Sequence, residues 1–436
     1  MKSLKELSNG RCVNKGLMIT VCSIVYFVSY LSRKDFAVVM AAMISGDVID
    51  KALGGFIGMG MFVFYGLGQI VSGYLGDKIK PIWLMTAGVT ATMVSNLLMP
   101  ISAEFNVYLL IPIWSVNGFA QALLWPPILK LLAENLDNET YASASIVVTS
   151  AAHVATIMLY VIVPFLLPVY GWQAIFYVAS AGALIAVPAL IVGLNIAIPK
   201  NAVCGNVSNV KNENEKQTSA PAALSKVGFG EVFNKSGLLL IMFAIVAMGY
   251  LRDGIESWLP TLYSEVFQKD ASESILVSVV VPIGSIIAIT VIRAIHKHPT
   301  FENEMKTTVY LFGTALVLCV PLCFILGSEN SILRIVSLII VGLVCALMHG
   351  INFMLISCVP GYFAKSGRAS TAGGLCNACT YVGAAVSMYG IAGISESLGW
   401  VATVISWIII AGLGVTFAVL SMKKFTAFKR EVLTEK

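Results

Sequence analysis

Charged residues are scarce in this sequence of 436 residues: only 12% are Asp, Glu, Lys or Arg, whereas 58% are hydrophobic. Soluble globular proteins carry about 25% charged residues, so this composition excludes a water-soluble enzyme. Segments of alternating polarity, which outer-membrane barrels need over about 10 residues, are also missing, and long apolar runs take their place. Together with a mean hydropathy of +0.85, these features predict an all-α polytopic membrane protein that is not an enzyme.

Metal-binding and cofactor-binding motifs are missing as well. The nine cysteines are scattered, and the C-x-x-C pair of Cys376 and Cys379 lies in an apolar run without a neighbouring acid or histidine. We interpret these cysteines as small packing residues and expect no metal and no cofactor. The net charge of +5 is interpreted as a signal of membrane topology, and we expect no nucleic-acid partner.

Twelve apolar runs are long enough to cross a bilayer, which takes about 20 residues per helix. A polar stretch at 197–236, rich in Asn, Lys, Ser and Glu, separates the first six runs from the last six, and its composition predicts a flexible cytoplasmic linker. The sequence therefore predicts two six-helix halves, 1–196 and 237–436, related by a parallel repeat. The predicted spans are 17–43, 53–75, 82–101, 107–132, 141–168, 172–195, 237–266, 273–294, 307–327, 331–360, 368–394 and 399–422.

The distribution of lysine and arginine predicts the orientation of these spans. Nearly all basic residues between the spans fall on the side of the two termini, whereas the opposite loops hold Lys51, Lys269 and Arg334. Loops rich in Lys and Arg stay in the cytoplasm, so we expect both termini there. We expect no cleavable signal peptide and a location in the plasma membrane, or in the inner membrane if the source is bacterial.

Two arginines lie inside predicted spans, Arg33 in the first and Arg252 in the seventh. An arginine at the centre of a membrane helix costs about 2.5–3.5 kcal/mol on insertion scales, which favours a functional role. The alternative is a structural role in which each arginine is neutralised inside the protein. Glu256, four residues after Arg252, could form such a pair, whereas Asp35 points to another side of the helix that carries Arg33.

Polar and aromatic side chains align on several predicted helices, which repeat every 3.6 residues, and these stripes predict a polar cavity. Guanidinium groups bind carboxylate or phosphate through paired hydrogen bonds. Two of them suit a phosphate ester, which carries about −1.5 to −2 charges; a dicarboxylate is the alternative ligand. The aligned candidates are Tyr26, Tyr30 and Arg33 in the first span, Asn117 and Gln121 in the fourth, His153 in the fifth, Arg252 and Glu256 in the seventh, and Asn377 and Tyr381 in the eleventh.

The segments YLSRKDF at 30–36 and YLRDGIESWLPT at 250–261 resemble the organophosphate:phosphate antiporters of the major facilitator superfamily. The region 117–127 and His153 are similar to this family too. The resemblance implies that Arg33 and Arg252 hold the phosphoryl group, that His153 assists them, and that inorganic phosphate is the exchanged ion. Lys34, in the first of these motifs, joins the candidate substrate-binding residues.

Two departures from the family leave the substrate open. Gln69 stands where the glycerol phosphate carriers have a lysine in the second span. The eleventh span contains no charge, although some hexose phosphate carriers have an acid and a lysine there.

The predicted function is secondary active transport, in which a small phosphorylated metabolite of the sugar phosphate or glycerol phosphate class is exchanged for inorganic phosphate by alternating access. One chain in the lipid bilayer is expected to suffice. The first alternative is a proton-coupled organic anion symporter that uses Glu256 and His153. The second is a sugar-phosphate sensor of the same fold that does not transport.

Overall fold

The computed structural model describes residues 13–199, 229–296, 298, 303–366 and 368–434. The first helices are α1 (Lys15–Ser45), α2 (Lys51–Lys78), α3 (Pro81–Phe105), α4 (Leu110–Ala122), α5 (Trp125–Asn135), α6 (Asn138–Tyr170) and α7 (Gln173–Ala197). They are followed by α8 (Phe229–Ser236), α9 (Leu238–Phe267), α10 (Ala271–Val277), α11 (Val280–His296), α12 (Glu304–Ile325), α13 (Ser331–Asn352), α14 (Ala369–Ser397) and α15 (Gly399–Thr434).

Twelve helical segments among the described residues are long and apolar enough to cross a membrane. Helices α4 and α5 together form the fourth segment, and α10 and α11 together form the eighth. The predicted all-α polytopic fold class is therefore confirmed. We call α1–α7 the N-terminal group and α8–α15 the C-terminal group.

The fourth span, predicted as one helix, is interrupted beside two prolines. Pro126 and Pro127 have no N–H to donate, and a proline ring inside a helix clashes with the carbonyl four residues earlier. The chain therefore tightens at Leu123 and Leu124, whose N–H groups donate to carbonyls three residues back, and α5 starts anew with proline in its first turn.

The eighth and tenth spans depart from a continuous α-helix for the same reason. Between α10 and α11 the helix breaks at Ser278, four residues before Pro282, where the proline ring would meet the carbonyl. The tenth span is α-helical up to Asn352 and continues as a π-helix (Phe353–Cys358) and a 3₁₀-helix (Val359–Ser366) around Pro360.

The last span is longer than its hydropathy predicts. A boundary at 422 is wrong, because α15 continues to the end of the described chain. Phe425 and Phe428 are buried on this extension, and Nζ of Lys429 lies 3.0 Å from Oε2 of Glu304 on α12. The extension is half polar, so mean hydropathy misses it, but its buried face packs on the helix bundle.

The predicted linker at 197–236 needs a correction at its C-terminal end. Residues 229–236 form α8, and its Val232 is 2% exposed. These eight residues belong to the packed structure because they bury an apolar side chain. The linker prediction for 200–228 lies outside the described residues.

The two groups contact each other near the end of the bundle where α1 ends and α2 begins, which we call the closed end. Lys51 on α2 pairs with Glu265 on α9, and the ring of Phe56 packs on Tyr389 of α14 at 4.6 Å. Gly58 allows this approach, because a Cβ atom there would overlap the side chain of Met388. Helices α2 and α14 are thus in direct contact at the closed end.

At the opposite end, which holds both termini of the described chain, α2 and α14 diverge. Ile70 and Tyr74 on α2 are 66% and 63% exposed, and no described atom lies within 4 Å of a Cβ placed on Gly374 of α14. The space between the two groups therefore widens toward the end that holds the termini, which we call the open end.

Candidate functional site

A cavity of about 230 Å³ lies between the two groups and is lined by α1, α6, α9, α11, α13 and α14. Polar side chains from both groups face it, at the level where α2 and α14 begin to separate. The cavity brings together most of the residues that the sequence predicts for the site. These are Tyr30, Arg33, Lys34, His153, Arg252, Glu256, Asn377 and Tyr381.

Arg33 lies against aromatic rings rather than against an acid. Its Cζ atom is 4.2 Å from the ring centroid of Tyr65, 5.4 Å from that of Tyr30 and 5.9 Å from that of Tyr381. Among the described residues it forms no ion pair, although it is only 9% exposed. Cation–π contacts stabilise the charge while leaving the N–H donors of the guanidinium in the plane of the group for an anion.

Tyr65 is a site residue that the sequence analysis missed. It comes from α2, which the polar stripes did not implicate, and its ring packs on Tyr381 of α14 at 4.4 Å. One turn away, Phe62 also stacks on Tyr381. These rings join the two groups beside Arg33, although only Tyr381 of the three lines the cavity itself.

Arg252 is held by two oxygen atoms of the C-terminal group. One terminal nitrogen lies 2.7 Å from Oδ2 of Asp253, and the other lies 2.7 Å from Oδ1 of Asn352 on α13. The predicted alternative pair of Arg252 with Glu256 is wrong, because the carboxylate of the next residue is nearer. Asp253 was missed as a site residue, although it stands within the motif at 250–261.

Glu256 instead bridges the two groups. Its Oε2 lies 3.1 Å from Nζ of Lys34 on α1, and both side chains are largely buried. The carbonyl of Glu256 also accepts a hydrogen bond from the hydroxyl of Tyr160 on α6, at 3.2 Å. This residue therefore links α9 to two helices of the N-terminal group.

The formal charges of the cavity add to +1 when its histidines are neutral. Lys34 is matched by Glu256 and Arg252 by Asp253, which leaves the charge of Arg33 unmatched. The sequence suggested two arginines without acid partners. Among the described residues the cavity holds one, Arg33, beside two ion pairs. An anion in the cavity can bind Arg33 without displacing an acid, but it must compete with Asp253 for Arg252.

His153 is oriented by its own helix. Its Nδ1 lies 3.0 Å from the carbonyl oxygen of Thr149, an atom that can only accept, so Nδ1 carries the proton. Nε2 is then left as an acceptor in the neutral ring, or as a donor in the protonated ring. His349 on α13 lines the same cavity, and its Nε2 is buried without a hydrogen-bond partner among the described residues.

Asn117 and Gln121 lie behind α1 rather than in the cavity. Nδ2 of Asn117 donates to the carbonyl of Ser32 at 2.9 Å, and Nε2 of Gln121 donates to the carbonyl of Ser29 at 3.0 Å. Both amides are buried. The prediction that they face the cavity is wrong, because α4 packs closely on α1 and its amides bind the α1 backbone.

Tyr26 also stands outside the cavity wall. Its ring packs on Tyr30 at 5.1 Å and on Trp125 at 4.9 Å, between α1 and the start of α5. Tyr26 can therefore hold Tyr30 in place, and the prediction that it faces the cavity is wrong.

A second ionic contact between the groups lies at the closed end. Nζ of Lys51 is 2.6 Å from Oε2 of Glu265, and the same oxygen accepts a hydrogen bond from Nε1 of Trp400 at 2.9 Å. The ammonium group also lies 5.4 Å from the centroid of the Trp400 ring. We call these three residues the closed-end latch.

The family profile of the Major Facilitator Superfamily matches residues 22–388. The solved structure of a D-xylose–proton symporter has the same fold, with a TM-score of 0.73 over 94% of this chain and 98% of that chain at 10% identity.

Several curated relatives are named after phosphorylated compounds. The chain is 34% identical over 107 residues to a probable hexose phosphate transport protein of Chlamydia trachomatis serovar D, an alignment that covers 24% of this chain and 23% of that protein. It is 22% identical over 380 residues to the glycerol-3-phosphate transporter of Bacillus subtilis strain 168, covering 85% and 84%. Alignments with the chlamydial relatives span only 23% to 40% of their lengths.

Proposed function

The chain belongs to the Major Facilitator Superfamily, and from this premise we propose that it exchanges a small phosphorylated metabolite for inorganic phosphate by alternating access. The observation that carries the proposal is Arg33, a buried arginine with no acid partner among the described residues, at the wall of a cavity between the two groups. A buried guanidinium without an acid partner favours an anionic ligand. The names of the relatives support the phosphate ester class.

Phosphate suits the arrangement of donors around the cavity. Arg33 can present two parallel N–H groups to two phosphate oxygens, which is the strongest geometry for a guanidinium. Arg252 can turn from Asp253 toward the same phosphoryl group, and His153 can place Nε2 beside it. The tyrosine rings and Asn377 are then left for the organic part of the ester.

Alternating access follows from how the anion changes the contacts between groups. Arg33 belongs to the N-terminal group and Arg252 to the C-terminal group, so an anion held by both draws the groups together at the open end. Because the closed-end latch must break for the opposite side to open, the two groups are proposed to rock about the central site. With both termini in the cytoplasm, as the basic loops favour, the described conformation faces inward.

The exchange itself is tested in proteoliposomes. We expect vesicles loaded with inorganic phosphate to take up labelled hexose phosphate or glycerol 3-phosphate, whereas vesicles without internal phosphate remain nearly inactive. Equal uptake by both kinds of vesicle would contradict obligatory exchange. Internal alkalinisation during uptake would indicate proton coupling instead. Substrate binding without uptake in either vesicle would indicate a sensor.

Loosening the closed-end latch should shift the conformational equilibrium toward opening at that end. Lys51→Gln removes the charge that pairs with Glu265, and an ion pair of this exposure contributes up to about 1 kcal/mol, or about fivefold in a population ratio. Spin labels at Asp47 and Ser397, both exposed on opposite groups near the closed end, should report a larger share of long distances in a cysteine-free background.

The matched control for the latch is Lys269→Gln. It removes an ion pair of 3.0 Å with Glu273 at the same end, but both partners lie within the C-terminal group. This variant should leave the distance distribution unchanged. If Lys51→Gln also left it unchanged, the latch would not contribute to holding the closed end.

A further inference from the structure

Asp35 is a buried acid that the proposed transport mechanism does not use. At a rise of about 1.5 Å per residue, it lies about 15 Å from the end of α1 at Ser45, well inside the span. Its side chain is 0% exposed. Oδ1 accepts a hydrogen bond from the N–H of Phe36 at 2.8 Å, whereas Oδ2 is buried without a hydrogen-bond partner in the part of the chain that the structure describes.

The same turn of α1 is surrounded by further oxygen atoms that lack donors. Asn96 on α3 and Asn117 on α4 both donate through Nδ2 to the carbonyl of Ser32, at 3.2 and 2.9 Å. Their Oδ1 atoms are buried with no partner among the described residues, and so is the hydroxyl of Thr92, which can accept or donate. Two amide oxygens on the helices beside this turn therefore lack a donor among the described residues. An ionised Asp35 would add one more acceptor to this region, whereas a protonated Asp35 would add a donor.

No cation in the described residues is paired with Asp35. On its own helix, Arg33 lies against tyrosine rings and Lys34 pairs with Glu256. An ionised carboxylate that is buried without a cation is so unfavourable that such groups become neutral instead. Several charged and titratable groups on neighbouring helices are also engaged elsewhere: Lys51 with Glu265, Arg252 with Asp253, His153 with the Thr149 carbonyl, Tyr160 with the Glu256 carbonyl, and Tyr65 with Arg33.

We propose that Asp35 is a proton-binding site within the N-terminal group and is a neutral carboxylic acid in this conformation. The site is separate from the phosphate cavity, whose lining does not include Asp35. Because neither side of the membrane reaches it here, the proton can leave only if α1 moves relative to α3 and α4 and admits water.

Infrared difference spectroscopy of the full chain in lipid nanodiscs tests the site directly. At neutral pH we expect the wild type to show a C=O stretching band of a protonated carboxylic acid that Asp35→Asn lacks. The matched control is Asp47→Asn, which removes an exposed acid at a position with a φ of 55° that asparagine also tolerates; it should retain the band. Identical acid bands in wild type and Asp35→Asn would overturn the proposal.

Two further measurements keep the test decisive. If Asp35→Asn fails to fold, wild-type protein carrying aspartate labelled with ¹³C at the side-chain carboxyl should show the acid band shifted, whereas an unshifted band would overturn the assignment. Replacing Na⁺ by choline should leave the band unchanged. An acid band that appears only without Na⁺ would mean that a metal cation, and not a proton, occupies the site.

Discussion

Replacing Arg33 by lysine is expected to lower the affinity for inorganic phosphate and for every phosphorylated ligand by roughly 10- to 150-fold, the equivalent of about 1.5–3 kcal/mol for a charge-assisted hydrogen bond. Lysine keeps the positive charge but loses the planar fork and the flat face that lies 4.2 Å from the ring centroid of Tyr65. Thermal-shift titration of purified protein with phosphate and with glycerol 3-phosphate measures the loss.

The matched control is Arg334→Lys. Arg334 also lies over an aromatic ring, that of Phe267 at 5.5 Å, but outside the cavity. This variant should bind phosphate like the wild type. Wild-type phosphate affinity in Arg33→Lys would show that Arg33 supplies charge without paired hydrogen bonds, and the site assignment would have to change.

A second large loss of phosphate exchange is expected when Arg252 and its carboxylate partner Asp253 are both replaced. In the double variant Arg252→Gln, Asp253→Asn both charges of the pair are removed together, so no uncompensated buried charge remains and the fold should persist. Phosphate exchange in proteoliposomes should nevertheless fall at least about tenfold, because one arginine then grips the anion alone. When Arg33→Lys is added to this double variant, the total loss of phosphate exchange should differ from the sum of the separate losses, because both arginines hold one ligand.

A structural role for Arg252 makes the opposite prediction. If Arg252 only neutralises Asp253, the double variant should exchange phosphate at the wild-type rate. The control for loss of a buried ion pair elsewhere is Glu304→Gln, Lys429→Gln, which removes the contact of 3.0 Å between α12 and α15. It should lower thermal stability without changing the affinity for phosphate.

Arg252 and Glu256 do not pair with each other, although the periodicity of their helix suggests that they could. A spacing of four residues places both side chains on one face, and a pair between them follows if nothing else is near. In the folded chain, α1 brings Lys34 to 3.1 Å from Glu256, and α13 brings Asn352 to Arg252. The partner of Glu256 is thus supplied by a helix distant in sequence, whereas Arg252 pairs with the acid next to it on the same helix.

The side-chain amides of α4 also have partners that their own helix does not predict. Asn117 and Gln121 align on one helical face, which correctly indicates an interface. Which neighbour that face meets depends on how closely α4 packs on α1, and the amides bind the α1 backbone. The helix breaks near Pro126 and Pro282 were likewise not predicted, because prolines such as Pro188 and Pro260 lie inside continuous helices of the same chain.

The sequence by itself determined the twelve spans and the family, because membrane insertion depends on hydrophobic length, and the motifs around Arg33 and Arg252 are specific. It also indicated the two arginines, since a charge inside a membrane is too unfavourable to be incidental. Only the tertiary structure decided that Arg252 pairs with Asp253, that Tyr65 packs on Arg33, and that neither Arg33 nor Asp35 has an ionic partner among the described residues. These outcomes depend on distances between side chains of different helices, which the periodicity of one helix does not contain.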